Sequence, residues 1–213
     1  TNTPAATQPA AGHVAVRQTL QFLDRDPLAG DTSNPDGWIA TTSVAVGLRR
    51  DLSLTLDVPV EYAVPRGGGP DRDAGVGDLA LTLKYRPVQI DLNPLDSIRL
   101  AVFGGVEIPS MDAGFSSESW DPFLGVVFTT IRGRHGFNQS LSWTFNTSHE
   151  RRSNRAGDGP EDAFRHDTSY LYRLSPESYG PDTEAATYLT LELNGLHERN
   201  GDSEVLLGPG ILY

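Results

Sequence analysis

Three residues of the kinds found in nucleophilic catalytic sites lie close together in the chain: His166, Asp167 and Ser169. Such a site needs a hydroxyl, an imidazole and a carboxylate that converge on one point. The segment around them, Ala163 to Leu174, alternates like a β-strand, whose side chains point to opposite faces in turn. His166 therefore faces away from Asp167 and Ser169, and we expect that the protein is not an enzyme.

Metal and nucleotide chemistry have no recognisable motif in the sequence. The other histidines (His13, His135, His149 and His197) fall near predicted strand ends and loops, and no pair has a metal-binding spacing. The Asp- and Asn-rich loops, such as GDTSNPDG and RNGDSE, lack the EF-hand spacing and are interpreted as solvated turns. GGGP and GVGD lack the lysine and helix of a phosphate-binding loop. We expect no metal and no cofactor.

Charged residues at alternating positions of the predicted strands form a clearer pattern. The stretch from Gly75 to Arg86, GVGDLALTLKYR, has one apolar face and one face with charges of both signs. A transmembrane barrel turns the apolar face to lipid and the polar face to its lumen. On that interpretation the lumen-lining candidates are Arg17, Asp57, Glu61, Asp78, Lys84, Arg86, Arg99, Glu107 and Glu192, and the eighth strand adds Arg165, Asp167 and Arg173. The lipid-facing candidates are Leu54, Leu56, Val58, Leu79, Leu81, Leu83, Leu100, Val102, Leu189, Leu191 and Leu193.

The alternation recurs along the chain and predicts an all-β protein without helices. We expect about ten strands, near His13–Leu23, Trp38–Leu48, Leu52–Tyr62, Gly75–Arg86, Ile98–Ile108, Pro122–Ile131, Phe137–Asn146, Ala163–Leu174, Leu189–Asn194 and Val205–Tyr213. Both faces of the sixth are apolar, so its orientation stays open. Most of these strands reach the roughly 9–11 residues that a membrane-spanning strand needs, whereas soluble strands average about 5–6.

The connections and the aromatic residues favour the same architecture. Long polar links follow the first, third, fifth and seventh strands, and short links follow the second, fourth and sixth. An outer-membrane barrel has this alternation of external loops and periplasmic turns, with aromatic girdles at both interfaces. Phe22, Trp38, Tyr62 and Tyr85 lie near strand ends. The fold predicted is an antiparallel up-and-down transmembrane β-barrel.

Composition narrows the class of protein further. The 213 residues carry a formal net charge of -11 and no cysteine, which argues against a nucleic-acid binder, disulfides and thiolate metal sites. No apolar run is long enough for a transmembrane helix. Residues 1–12, rich in Ala, Thr and Pro, are predicted to be a disordered leader that remains after removal of a signal peptide. Residues 13–213 are predicted to be a single barrel domain.

Several short motifs resemble, in order, those of a family of outer-membrane proteins named for the meta-cleavage pathway of phenol degradation. They are GVGDLALTLKYR, FGGVEIPS, DPFLGVVFT, LELNGLHERNGD and LLGPGILY, which together span residues 75–213. The resemblance implies a barrel of about twelve strands in the outer membrane of Gram-negative bacteria that passes hydrophobic or aromatic compounds. Since the chain given ends on the strand that contains GPG, we expect either a ten-stranded barrel or a twelve-stranded one whose last hairpin is missing here.

The expected function is that of a porin-like outer-membrane transporter or channel for small hydrophobic or aromatic solutes. The expected partners are the lipid bilayer, such a solute and a protein partner at the loops, with no nucleic acid. Two alternatives stay open: a structural barrel that docks a partner through its loops, and a soluble secreted β-sandwich that binds a ligand. Charges of both signs in the lumen also leave two interpretations open. They form salt bridges that fill the lumen, since buried charges must be paired, or they line a polar path that selects the solute.

Overall fold

A computed structural model describes residues 4–23, 36–64, 73–110, 115–147, 162–179, 185–199 and 203–212. In these ranges the chain forms β-strands and no helix that could cross a membrane. The strands are β1 (Val14–Leu23), β2 (Asp36–Arg49), β3 (Leu52–Val64), β4 (Asp73–Val76), β5 (Leu79–Asp91), β6 (Ser97–Ile108), β7 (Asp121–Arg132), β8 (His135–Thr144), β9 (Ala163–Ser175), β10 (Thr187–Glu198) and β11 (Ser203–Leu212). Most of the predicted long loops, together with His149 and Tyr213, lie outside the described residues.

All eleven strands belong to one antiparallel sheet with up-and-down connections. The sheet has ten positions, because β4 and β5 both pair with β3, one near each end of that strand. It curls into an open barrel, and within the described ranges no strand pairs with the outer edge of β1 or of β11. The all-β, up-and-down fold with about ten strands is therefore confirmed. A single curled sheet also differs from the two packed sheets of a β-sandwich.

The two faces of the sheet have opposite chemistry. The concave face buries small or polar side chains, among them Ala101, Val127, Ser53, Ser140 and Ser169. Large apolar side chains project from the convex face instead, and Leu20 and Ile211 on the two edge strands are 72% and 71% exposed. A soluble barrel buries its large apolar residues inside, so this arrangement is inverted relative to that of a water-soluble protein.

Two local features differ from the predicted strands, and a third defines an orientation that the sequence leaves open. The predicted fourth strand is divided into β4 and β5 by Gly77 and Asp78. β5 continues past Arg86 to Asp91, because a bulge between Tyr85 and Val88 accommodates Pro87, which has no amide hydrogen for the ladder. The orientation of the sixth strand is also defined: Val127 and Thr129 are buried on the concave face, and Leu124 is exposed on the convex face.

The N-terminal residues lie inside the curled sheet. The sequence predicts a disordered leader over residues 1–12, whereas the structure places residues 4–12, hereafter the strap, across the concave face, with a bend at Ala6 and a turn at Gly12. Ala6 is fully buried against Ala101 and Val127. Small side chains let the strap approach the sheet closely, and its peptide groups find partners there.

Candidate functional site

The register of the strands brings the predicted lumen residues into rows across the concave face. Arg17 pairs with Ser43, which pairs with Asp57, and the same row continues through Ala80 and Glu107. A second row runs from Arg99 through Thr129, Asn138 and Ser169 to Glu192. The structure thus collects charges from strands far apart in sequence onto one surface, as the alternation of side chains predicts.

The other lumen candidates have individual surroundings. Glu61 is buried in β3 opposite β4, Lys84 and Arg86 extend towards the strap, and Asp78 lies between β4 and β5. Of the additions from β9, Asp167 and Arg173 are buried, and Arg165 is exposed. Contact of any of these residues with a solute stays a prediction.

The eleven lipid-facing candidates lie on the convex face. Leu54 pairs with Leu83 and Leu56 with Leu81, while Leu79, Leu100 and Val102 pair with positions of β6 or β5 on the same side. The remaining four are Val58 in β3 and Leu189, Leu191 and Leu193 in β10. Leu83 and Leu189 are each 47% exposed. That these side chains contact lipid stays a prediction.

Aromatic side chains mark both ends of the convex face. At the end with the long loops, Trp38 stacks on Tyr62 with ring centroids 5.6 Å apart, and Trp143 lies 6.1 Å from Phe164. At the end with the short turns, the His135 ring lies 5.2 Å from that of Tyr172. The nine residues from Phe164 to Tyr172 extend about 27 Å along β9, close to the roughly 25 Å height of the apolar band of an outer-membrane barrel.

Two cations hold the strap by its backbone carbonyl groups. Lys84 Nζ donates to Ala5 O at 3.0 Å and to Thr7 O at 3.3 Å. Arg86 Nη1 donates to Ala6 O at 3.5 Å, and its Nη2 donates to Arg50 O at 2.8 Å. These two predicted lumen charges are thus engaged with the chain itself.

Further contacts fix the two ends of the strap. The Ala6 amide donates to Thr129 Oγ1 at 2.8 Å, in the middle of the sheet. At the other end, the Gly12 amide donates to Gly47 O at 2.8 Å. A side chain at position 47 would collide with the strap, because a Cβ atom there would lie 2.1 Å from Ala10 O. The close approach of the strap to β2 therefore requires glycine.

At the loop end, buried carboxylates hold a connecting segment in place. Asp78 accepts hydrogen bonds from the Ser110 amide at 3.0 Å, from the Ser117 amide at 2.9 Å and from the Ser117 hydroxyl. Asp121 accepts from Ser119 Oγ and from the Thr147 amide, both at 2.7 Å. Asp78, a predicted lumen charge, is therefore saturated by the segment between β6 and β7.

The strap borders two cavities of different character. One, of about 700 Å³, is lined by polar groups that include Arg17, Asp57 and Lys84. The other, of about 310 Å³, lies near the short turns and is lined by Ile131, Leu171 and Arg173 among others. Ala5 and Thr7 of the strap contribute to both. The concavity therefore offers a polar cavity on one side of the strap and a largely apolar one on the other.

The turns around the smaller cavity are tied to one another. Asp96 accepts hydrogen bonds from the Gly133 amide at 2.7 Å and from Asn93 Nδ2 at 2.9 Å, which lower the pKa of that carboxyl group. The Tyr179 hydroxyl bonds that of Tyr188. This bond and the adjacent Arg173 guanidinium lower the pKa of the Tyr179 phenol. The end of the sheet that carries the smaller cavity is thus cross-linked by polar contacts.

The residues that suggested nucleophilic chemistry are not assembled into a site. Asp167 and Ser169 are buried on the concave face, whereas His166 stacks against His197 on the convex face with centroids 5.3 Å apart. In the part of the chain that the structure describes, no group of three His, Cys, Asp or Glu residues could hold a metal ion. The separation of His166 from Asp167 and Ser169 follows the alternation along β9.

Comparison with known proteins gives a family match over nearly the whole chain. A family model described as "Putative MetA-pathway of phenol degradation" matches residues 5–213. A search of curated proteins finds no match. The matched region includes most of the strap and all eleven strands.

Proposed function

The chain belongs to the family described as "Putative MetA-pathway of phenol degradation", and from that membership we propose that it is an outer-membrane β-barrel which passes small hydrophobic or aromatic solutes. The proposed site is the concave face, and the proposed partners are the bilayer around the barrel and the solute within it. A protein that docks on the loops remains a further proposed partner, and nucleic acid is not one.

The observation that carries the proposal is the inverted arrangement of the sheet. The exposed apolar side chains project outward between two aromatic zones. Charged and small side chains line most of the concavity, with Phe103, Ile131 and Leu171 as large apolar exceptions. Burial of that apolar surface in lipid is worth about 25 cal/mol per Å². Antiparallel pairing satisfies the backbone groups of the described strands except along the outer edges of β1 and β11. The polar interior with its cavity of about 700 Å³ supports passage of a small solute.

We also propose that the protein is not an enzyme. The imidazole of His166 and the carboxylate of Asp167 lie on opposite faces of β9, which supports this view. The polar groups of the interior instead bind the chain itself, as Lys84 and Asp78 do.

Flux through reconstituted protein tests the proposed function. Liposomes that contain the full chain should take up benzenesulfonate, an aromatic solute whose fixed charge keeps it from crossing the bare bilayer, faster than liposomes with heat-unfolded protein. Thr55 lines the polar cavity, and its neighbour Leu56 is on the convex face. We expect Thr55→Trp to slow uptake several-fold and Leu56→Trp to leave it unchanged.

The structural alternative makes the opposite prediction for the same preparation. A barrel that serves only as a scaffold would give neither benzenesulfonate uptake nor ionic conductance, although it would insert into the liposomes. Uptake that is equal in the Thr55→Trp and wild-type proteins would place the path outside the concavity. Either result would overturn the proposed function.

A further inference from the structure

The smaller cavity combines apolar walls with one buried cation. Ile131 in β7 and Leu171 in β9 share the concave face, Leu95 comes from the turn between β5 and β6, and Ala5 and Thr7 of the strap complete the wall. Its volume of about 310 Å³ is at the lower end of the roughly 300–1,000 Å³ typical of ligand pockets. One small ring or a short chain fits such a space.

Arg173 is the cation, and it is only 6% exposed. Its Nη2 donates to Glu177 O at 3.4 Å, and its guanidinium lies 4.1 Å from the centre of the Tyr179 ring. Its Nε has no hydrogen-bond acceptor within the described ranges. The cation thus contacts a peptide carbonyl, an aromatic face and the hydroxyl groups of Tyr179 and Tyr188, and none of these is a carboxylate.

The acidic side chains around Arg173 are engaged with other groups. The Asp96 carboxylate, which interacts electrostatically with Arg173, accepts hydrogen bonds from the Gly133 amide and from Asn93 Nδ2. The Glu177 carboxylate lies 3.4 Å from Arg134 Nη1, and no carboxylate among the described residues pairs with Arg173. A buried charge is costly unless it is paired, and a guanidinium matches the planar fork of a carboxylate. The environment of Arg173 therefore favours an anion within the cavity.

We propose that this cavity binds a small carboxylate with an apolar body, with the carboxylate on Arg173 and the apolar part against Ile131 and Leu171. The strap forms the lid over the bound molecule. The proposal deepens the transport function and rests on it only for the route by which the ligand arrives. Binding measured in detergent does not depend on that route.

The test uses benzoate and its neutral analogue benzamide, titrated calorimetrically into the full chain folded in detergent. We expect saturable benzoate binding that is at least about tenfold tighter than that of benzamide. Arg173→Gln should lower benzoate affinity by about tenfold or more, and Arg173→Lys, which keeps the charge, by less. Arg49→Gln is the matched control, because Arg49 pairs with Asp51 at 2.9 Å in an exposed turn away from the cavity.

A second variant keeps the test valid if Arg173→Gln fails to fold. Gly136 lines the cavity, and a Cβ atom there would come no closer than 3.4 Å to Leu171. Gly136→Leu should therefore fill the cavity and abolish benzoate binding without removing the charge.

Three outcomes would overturn the proposal: no saturable benzoate binding to the wild type, equal affinity for benzamide, or unchanged affinity in a folded Arg173→Gln or Gly136→Leu variant. Absence of benzoate binding to the wild type, with intact benzenesulfonate flux, would reject the cavity and leave the transport function. Binding without flux would reject transport and leave the cavity.

Discussion

Single residues in this sheet acquire their roles from the face on which they lie. Thr82 and Leu81 are adjacent, yet Thr82 lines the polar cavity and Leu81 pairs with Leu56 and Val106 on the convex side. The alternation makes both placements predictable from the sequence. It also makes such neighbours matched probes of the bilayer.

A charge introduced at these two positions should have unequal effects. We expect Leu81→Arg to destabilise the folded barrel in a bilayer by about 2–4 kcal/mol, the cost of an arginine on the lipid face near mid-membrane. Thr82→Arg should cost clearly less, because its side chain enters a polar cavity with access to Asp57. Reversible unfolding by guanidinium in lipid vesicles measures both values, and equal costs would contradict the assigned faces.

At the scale of elements, the sequence predicts the strands well and the strap not at all. Alternation is a local signal, so it defines each strand and its two faces within a few residues. The strap has no period, and its contacts are distant: the Ala6 amide and the Thr129 hydroxyl are 123 positions apart. Its small residues also resemble those of a disordered leader.

The candidate site is likewise predictable from the sequence only in part. Arg173 is predictable as an inward charge because it lies at an alternating position of β9. The cavity around it is not predictable, since its wall combines the strap, the turn that contains Leu95 and strands brought together only by the fold. A pattern of residues along one strand contains no information about which loop or terminus covers it.

The strap should restrict passage through the concavity, because it occupies space between the two cavities. Displacing it should therefore raise ionic conductance in planar bilayers. Gly47→Leu should displace the strap sterically, since even a Cβ atom at position 47 would collide with Ala10 O. Lys84→Met should release the strap by removing the ammonium group that donates to the Ala5 and Thr7 carbonyl groups. We expect conductance several-fold above wild type for both.

Val46→Leu provides the control for the strap variants. Val46 is the neighbour of Gly47 but pairs with Val14 and Leu54 on the convex face. Its conductance should equal that of the wild type. Unchanged conductance in Gly47→Leu and Lys84→Met together would mean that the strap lies outside the path of ions.

For the whole molecule, the decisive property is how the barrel lies relative to the bilayer. The three tryptophans report on it, because Trp38 and Trp143 belong to the aromatic zone at the loop end of the convex face, and Trp120 lies in the segment before β7 and is 58% exposed.

Three single-tryptophan variants, with phenylalanine at the other two positions, would be folded into vesicles that contain brominated lipids. Bromine quenches indole fluorescence at short range. Interfacial aromatic residues lie at the level of the headgroups, so Trp38 and Trp143 should be quenched most strongly by lipids brominated near the glycerol and less by lipids brominated near the chain ends. Trp120 should be quenched weakly by both. If Trp38 and Trp143 were no more sensitive to bromine than Trp120, the convex face would not be the surface that meets the membrane.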